Sequence, residues 1–180
     1  IFMAEMLVAS RVSDDAYDTA AKWIGWVPGG LGVASEIVCA VFAACCGASA
    51  GAIATIGRIG TPEMLKRGYH KELATGSIAA GAILAQLIPP SIFMIFYGVL
   101  AEVSIGGLFI GGIFPGLVLT TMFIIYIVTK CSLTPGYAPR ITGASWRERR
   151  RSVVGILPLL CFGIFLIAAI YTGICTPTEV

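Results

Sequence analysis

Charged residues in this sequence are separated by long uncharged stretches. No Asp, Glu, Lys or Arg occurs in three runs, which extend over residues 73–101, 103–129 and 152–178. Each run reaches the roughly 20 residues that an α-helix needs to cross the hydrocarbon core of a bilayer. Because a segment in lipid must satisfy its backbone hydrogen bonds internally, the pattern predicts an all-α, polytopic membrane protein.

The polar stretches predict how the helices are connected. Residues 10–22 predict a short polar connection, and residues 58–72 a charged loop. The strongly basic stretch 130–151 is expected on the cytoplasmic side, because Lys and Arg are enriched there. Two crossings separate it from 58–72, which should therefore lie on the same side. The chain is thus predicted to be a single transmembrane domain. Its elements are a re-entrant hairpin at 31–57, a broken helix at 73–101, a span at 104–129, a basic cytoplasmic loop at 130–151 and a last span at 153–174.

Two interruptions stand out within the apolar stretches. Residues 31–57 are apolar and rich in small residues, and fit either one straight span or a re-entrant hairpin with two arms that meet at a small-residue tip, residues 46–51. The stretch 73–101 contains two consecutive prolines, which remove backbone donors and clash with the preceding turn. We therefore expect a helix break at residues 88–91. Transporters bind ions with such irregular backbone at membrane depth, and the hydroxyls of Ser49 and Ser91 could add oxygen ligands, which hard cations prefer.

Composition narrows the class of protein. Apolar residues make up 57% and charged residues 12% of the chain, whereas soluble domains carry about 25% charged residues. The net charge is +2, and the basic residues are explained by their expected place in cytoplasmic loops. No nucleic-acid partner is therefore expected. The six cysteines form no CxxC pair and there is a single histidine, so we interpret the cysteines as small apolar fillers and expect no bound cofactor. A membrane-embedded enzyme would need a polar catalytic cluster within the spans, and the spans contain almost no ionisable residue. A purely structural membrane protein gains nothing obvious from broken helices. Both classes are therefore less consistent with the sequence than a transporter.

Several motifs together resemble the large membrane subunit of the tripartite ATP-independent periplasmic (TRAP) transporters. They occur in the family's order and cover nearly the whole chain: VPGGLGVAS at 27–35, CGAS at 46–49, ATIGRIGTPEMLKRGY at 54–69, ELATGSIAAG at 72–81, LIPPSIFMIFYGVL at 87–100 and IYTGICTPTE at 170–179. The resemblance implies a permease with two inverted repeats, each with a re-entrant hairpin and a broken helix, that moves as an elevator. This chain would be an internal stretch carrying the first repeat.

The resemblance also implies partners and a coupling ion. A small membrane subunit (DctQ-like) and a periplasmic substrate-binding protein would work with the permease in the bacterial inner membrane. The expected activity is Na⁺-coupled import of a small organic acid anion, such as a C4-dicarboxylate or a sialic acid, without ATP. A single-chain Na⁺/dicarboxylate symporter with the same hairpin and broken helix is the alternative.

In the family, the Na⁺ sites lie where the hairpin and the broken helix meet. The resemblance therefore implies that seven positions of this chain are ion-binding candidates. These are Cys46, Gly47, Ala48, Ser49, Pro89, Pro90 and Ser91. The tip departs from the family's usual Ser-Gly-Ser-Ser, because Cys46 and Ala48 lack hydroxyls. Before the break, the family often has a threonine that is absent here, and Gln86 adds a polar side chain. Coordination at the tip would therefore depend largely on backbone carbonyls.

Overall fold

The computed structural model describes residues 12–47, 49–134 and 136–139, and isolated positions beyond them. Regular structure in these ranges is entirely helical, which confirms the all-α class. The helices are α1 (Val12–Ile24), α2 (Gly30–Cys46), α3 (Ser49–Lys66), α4 (Lys71–Ile83), a 3₁₀ turn (Leu84–Gln86), α5 (Ile92–Leu100) and α6 (Ile105–Leu133). The predicted span at 153–174 and most of the basic stretch 130–151 lie outside the described ranges.

Residues 12–22 of the first polar stretch are helical, so the prediction of a short connection over residues 10–22 is wrong. Its polar and apolar residues occupy different sides of α1. Ala16, Tyr17 and Ala20 are buried, whereas the aspartates at 14, 15 and 18 are exposed. The charges that look like a loop signal therefore belong to the outer face of an amphipathic helix.

The predicted charged loop at 58–72 is also largely helical. Helix α3 continues to Lys66 and contains Pro62 in its interior. The connection to α4 is only four residues long, from Arg67 to His70, and it turns at Gly68, where φ is +78°. An ion pair of 2.6 Å joins Glu63, in the last turn of α3, to Arg67 directly after the helix, and pairs at this four-residue spacing support a helix.

Helices α2 and α4 run side by side in the same direction. A methyl group on Gly32 of α2 would lie 3.8 Å from Cβ of Ser77 on α4. Further along both helices, a methyl group on Gly81 would lie 2.9 Å from Cβ of Cys39. The small side chains let the two backbones approach closely. Because the helices are parallel, their carboxyl ends, which lead into the tip and the break, lie at the same end of the protein.

Helix α6 runs antiparallel to α2 and α4 and packs against both the beginning of α2 and the break after α4. Near its end, Cys131 lies against Gly29, where an added methyl group would be 2.7 Å from the sulfur atom. Nearer its start, Gly116 faces Ile88 in the break, and a methyl group on Gly116 would lie 3.1 Å from the Ile88 side chain. The helix therefore extends from the beginning of α2 to the break and holds the two ends of the assembly together.

The outer sides of α5 and α6 are apolar and exposed. Phe96, Leu100, Phe114 and Leu133 each expose 65% or more of their surface. In the described part of the chain, α6 is the one helix that is both long and apolar enough to cross a membrane. Helices α4 and α5 contain 13 and 9 residues, and each is shorter than the roughly 20 residues of a span because the break divides them.

Candidate functional site

The tip contains a sharp reversal at Gly47. Helix α2 ends at Cys46 and α3 begins at Ser49, while Gly47 is buried and adopts φ +62°. This left-handed conformation favours glycine. A methyl group here would also lie 2.8 Å from the carbonyl oxygen of Pro90. Two independent reasons, the backbone conformation and the close approach of Pro90, therefore require glycine at this position. Ala48 and the side chain of Cys46 lie outside the described part of the structure.

The break is an irregular segment between α4 and α5. After the 3₁₀ turn the chain passes through Pro89 and Pro90, which are joined by a cis peptide bond. Ser91 is fully buried, and its hydroxyl donates a 2.9 Å hydrogen bond to the carbonyl oxygen of Gln86. The Ser91 carbonyl accepts from the amide of Ile95 in the first turn of α5. Ser91 thus connects the two halves of the interrupted helix.

The tip and the break contact each other directly. The backbone amide of Ile92, the first residue of α5, donates a 3.3 Å hydrogen bond to the carbonyl oxygen of Gly47. Gly47, Pro90 and Ser91, all predicted site residues, are therefore brought together. Pro89 is buried within the same segment, and half-buried Ser49 begins α3 directly after the tip.

Helix α6 supports the break from its other side. Gly112 packs against the Met94 side chain, and a methyl group on Gly112 would lie 2.6 Å from the carbonyl oxygen of Leu87. A glycine at this position lets α6 touch the irregular backbone. The break is consequently enclosed between the tip and α6, as expected of non-helical backbone within a membrane.

The ends of four helical segments meet around this contact. The carboxyl ends of α2 and of the 3₁₀ turn present carbonyl groups, which carry partial negative charge and favour cations. The amino ends of α3 and α5 present amides, which favour anions. Both kinds of backbone dipole thus lie at one end of the described fold.

The opposite end is fixed by Tyr69 in the connection between α3 and α4. Its hydroxyl accepts a 3.3 Å hydrogen bond from the amide of Leu31 in the first turn of α2. Burial raises the pKa of the Tyr69 phenol above its ordinary value. The neighbouring residue His70 stacks on Tyr137, with ring centroids 4.8 Å apart. The first contact ties the beginning of α2 to the connection between α3 and α4, and the second ties that connection to the segment after α6.

Sequence reasoning missed one polar group inside the assembly. The interpretation of residues 31–57 as apolar overlooks Glu36, which is fully buried in α2. Among the described residues, neither oxygen of its carboxylate has a hydrogen-bond partner, and the same is true of the Ser77 hydroxyl on α4. The available signal was a single carboxylate within an apolar stretch, which by itself marks a functional candidate in a membrane protein. The described ranges contain no cluster of three His, Cys, Asp or Glu residues that could hold a metal.

Comparison with known proteins gives a consistent result. Residues 1–180 match the family model described as "Tripartite ATP-independent periplasmic transporter, DctM component". The chain is 38% identical over 178 residues to the C4-dicarboxylate TRAP transporter large permease protein DctM of Vibrio cholerae, which covers 99% of this chain and 38% of that protein. It is 37% identical over 179 residues to the ectoine TRAP transporter large permease protein TeaC of Halomonas elongata, covering 99% and 42%.

A third relative has a different solute in its name. The chain is 28% identical over 181 residues to the sialic acid TRAP transporter large permease protein SiaM of Vibrio cholerae, covering 99% of this chain and 42% of that protein. The chain therefore spans about two fifths of the length of these relatives. The matched proteins are transporter permeases and not enzymes.

Proposed function

Because the chain belongs to the DctM component family of tripartite ATP-independent periplasmic transporters, we propose that it forms part of a permease for Na⁺-coupled import of organic acid anions. The observation that carries the proposal is the backbone contact between Gly47 and Ile92. It joins the turn between α2 and α3 to the interrupted helix α4–α5, and the helix ends at this contact supply carbonyl and amide groups. Transporters use such groups to hold coupling ions and anionic substrates near the middle of the membrane.

The Na⁺ site of this proposal lies between the tip and the break. Backbone carbonyls around Cys46, Gly47 and Ala48 on one side, and around Pro89 and Pro90 on the other, are its principal ligands. Ser91 can contribute its oxygen lone pairs, because its hydroxyl hydrogen is used in the bond to Gln86. Ser49 supplies a second hydroxyl at the beginning of α3.

The membrane arrangement follows from the same proposal. Helices α2 and α3 form a re-entrant hairpin, and α4 to α5 form one broken crossing in a bacterial inner membrane. The exposed apolar sides of α5 and α6 face lipid or the remainder of the permease. A small membrane subunit supports this transport domain as it moves like an elevator, and a periplasmic binding protein delivers the solute. The names of the relatives cover C4-dicarboxylates, ectoine and sialic acid, of which we propose the acid anions.

Transport by the full-length permease tests the sodium coupling. The permease, its small membrane subunit and its binding protein are reconstituted in liposomes, and uptake of radiolabelled C4-dicarboxylate or sialic acid is measured. We expect uptake with an inward Na⁺ gradient and background uptake when K⁺ replaces Na⁺. Uptake that ignores Na⁺ and follows a proton gradient would refute the coupling. Uptake that does not need the binding protein would instead indicate the single-chain symporter.

Two substitutions test the location of the ion. Ser49→Leu and Ser91→Leu should each lower the apparent affinity for Na⁺ in the uptake assay, because a bulky apolar group replaces an oxygen beside the site. Thr121→Leu is the matched control, since the Thr121 hydroxyl, like that of Ser91, donates to a backbone carbonyl but is exposed on α6. Unchanged sodium dependence in both serine variants would exclude these hydroxyls from the site.

A further inference from the structure

Glu36 is a buried carboxylate for which the described part of the chain supplies no hydrogen-bond partner. The residue exposes 0% of its surface, and neither carboxylate oxygen has a hydrogen-bond partner among the residues that the structure describes. Burying an ionised carboxylate costs far more than burying a neutral polar group unless an opposite charge accompanies it. The position therefore calls for a bound cation or a proton, since no basic side chain of the described residues bonds to the carboxylate.

The carboxylate lies against α4 at a position without a side chain. A methyl group on Gly81 would be only 3.0 Å from the Oε2 atom of Glu36. One helical turn earlier on both helices, Gly32 faces Ser77 across the same interface. Because α2 and α4 are parallel, Glu36 and Ser77 lie on facing sides of the two helices and about one turn apart.

Ser77 provides a second oxygen without a partner. The residue exposes 4% of its surface, and its hydroxyl has no hydrogen-bond partner within the described ranges. A serine within a helix commonly bonds back to a carbonyl in the preceding turn, as Ser35 does to Leu31 on α2. The Ser77 hydroxyl is therefore available to a ligand.

Both residues line the same cavity, which is separate from the tip and the break. Its volume is about 310 Å³, and its wall includes Glu72 at the start of α4 and Lys130 near the end of α6. One ammonium against two carboxylates leaves the described lining with a negative formal charge, which attracts cations. The volume also leaves room for several water molecules beside an ion. Glu36 precedes Gly47 by eleven residues, which is about 16 Å along a helix.

We propose that Glu36 and Ser77 form a second cation site, which binds one Na⁺ between α2 and α4. The carboxylate neutralises a single positive charge, and the hydroxyl, with water from the cavity, completes a shell of oxygen ligands. Ca²⁺ would take six to eight oxygen ligands and Mg²⁺ a near-ideal octahedron with several waters, whereas the buried part of this site offers one carboxylate and one hydroxyl. The inference does not depend on the sodium coupling proposed above, because it concerns binding at a different place.

Equilibrium binding of radioactive Na⁺ to the purified full-length permease with its small membrane subunit tests this site. Glu36→Gln keeps the shape of the side chain and removes its charge, so it should weaken one class of bound Na⁺ by about tenfold or more, the loss expected for one charge-assisted contact. Ser77→Ala should weaken the same class by a smaller factor. Glu102→Gln is the control, because Glu102 is exposed and lies outside the cavity lining.

An unchanged Na⁺ isotherm in a folded Glu36→Gln protein would overturn the proposal, and would indicate that a proton neutralises Glu36. An equal change in Glu102→Gln would overturn it as well. If Glu36→Gln does not fold, the isotherm of Ser77→Ala decides. Loss of a bound ion in Glu36→Gln, combined with uptake that ignores Na⁺, would refute only the coupling at the tip. Normal coupling with an unchanged isotherm would refute only the Glu36 site.

Discussion

The carbonyl oxygen of Gly47 accepts a 3.3 Å hydrogen bond from the backbone amide of Ile92. The bond joins the turn between α2 and α3 to the first residue of α5, and thus connects two segments that are distant in sequence. A donor at the beginning of a helix has no partner within that helix, so this contact satisfies an amide that would otherwise lack a hydrogen bond. The same contact positions the carbonyl and amide groups of the proposed ion site.

Gly47→Ala should disrupt the contact between the tip and the break. Alanine is strained at φ +62°, and its methyl group would lie 2.8 Å from the Pro90 carbonyl oxygen. We expect the full-length permease to lose about 1–3 kcal/mol of stability, measured as a lower unfolding temperature in detergent. Gly76→Ala is the matched control, because a methyl group on Gly76 meets no described atom within 4 Å and alanine favours a helix. Equal stability of the two variants would contradict the requirement for glycine at the tip.

Gly112→Ala should separate α6 from the break. The added methyl group would overlap with the Met94 side chain and lie 2.6 Å from the Leu87 carbonyl oxygen. Overpacking of this kind costs about 1–3 kcal/mol, and we expect solute uptake to fall as well. The adjacent Gly111→Ala is a close control, since a methyl group there has no described neighbour within 4 Å. Uptake and thermal stability should distinguish the two, and identical behaviour would show that α6 does not depend on this close approach.

Ser91→Ala should loosen the two halves of the broken helix. Ser91 is fully buried, and its removal leaves the Gln86 carbonyl oxygen without the hydroxyl that now donates to it. We expect a loss of about 1–3 kcal/mol in thermal unfolding of the full-length permease. Thr121→Ala removes a comparable hydroxyl bond of 2.8 Å from an exposed position on α6 and should cost less. A larger effect at Thr121 would argue against a structural role for Ser91.

Tyr69→Phe should weaken the attachment at the beginning of α2. The substitution keeps the buried ring and removes the oxygen that accepts from the Leu31 amide at 3.3 Å. The expected loss of stability is about 0.5–1.5 kcal/mol, together with faster amide hydrogen exchange at the start of α2. Tyr97→Phe, at an exposed position of α5, should leave both measurements unchanged. Unaltered exchange at Leu31 in Tyr69→Phe would mean that the helix start is held by other contacts.

Local chemistry made several features predictable from the sequence. Long uncharged runs indicate helices in lipid, because hydropathy depends on composition over about 20 residues. Pro89 and Pro90 predict the break, since each proline alters its own backbone and the preceding turn. The family was likewise identified from short motifs in order. The errors at residues 10–22 and 58–72 arose because clusters of charged residues were interpreted as loops. Charged residues also cover the exposed side of a helix such as α1.

The sequence by itself thus determined the helical class, the position of the break and the family of the chain, while it left open whether residues 31–57 turn or run straight. Only the tertiary structure decided that Gly47 meets Ile92 and that Glu36 lies against Gly81 with Ser77 nearby. These relationships depend on the direction and register in which α2, α4 and α6 pack. Register is set by the summed fit of many small side chains along the helices, which no single stretch of sequence reveals. The Glu36 carboxylate was visible in the sequence, but its lack of a partner became apparent only when the helices around it were in place.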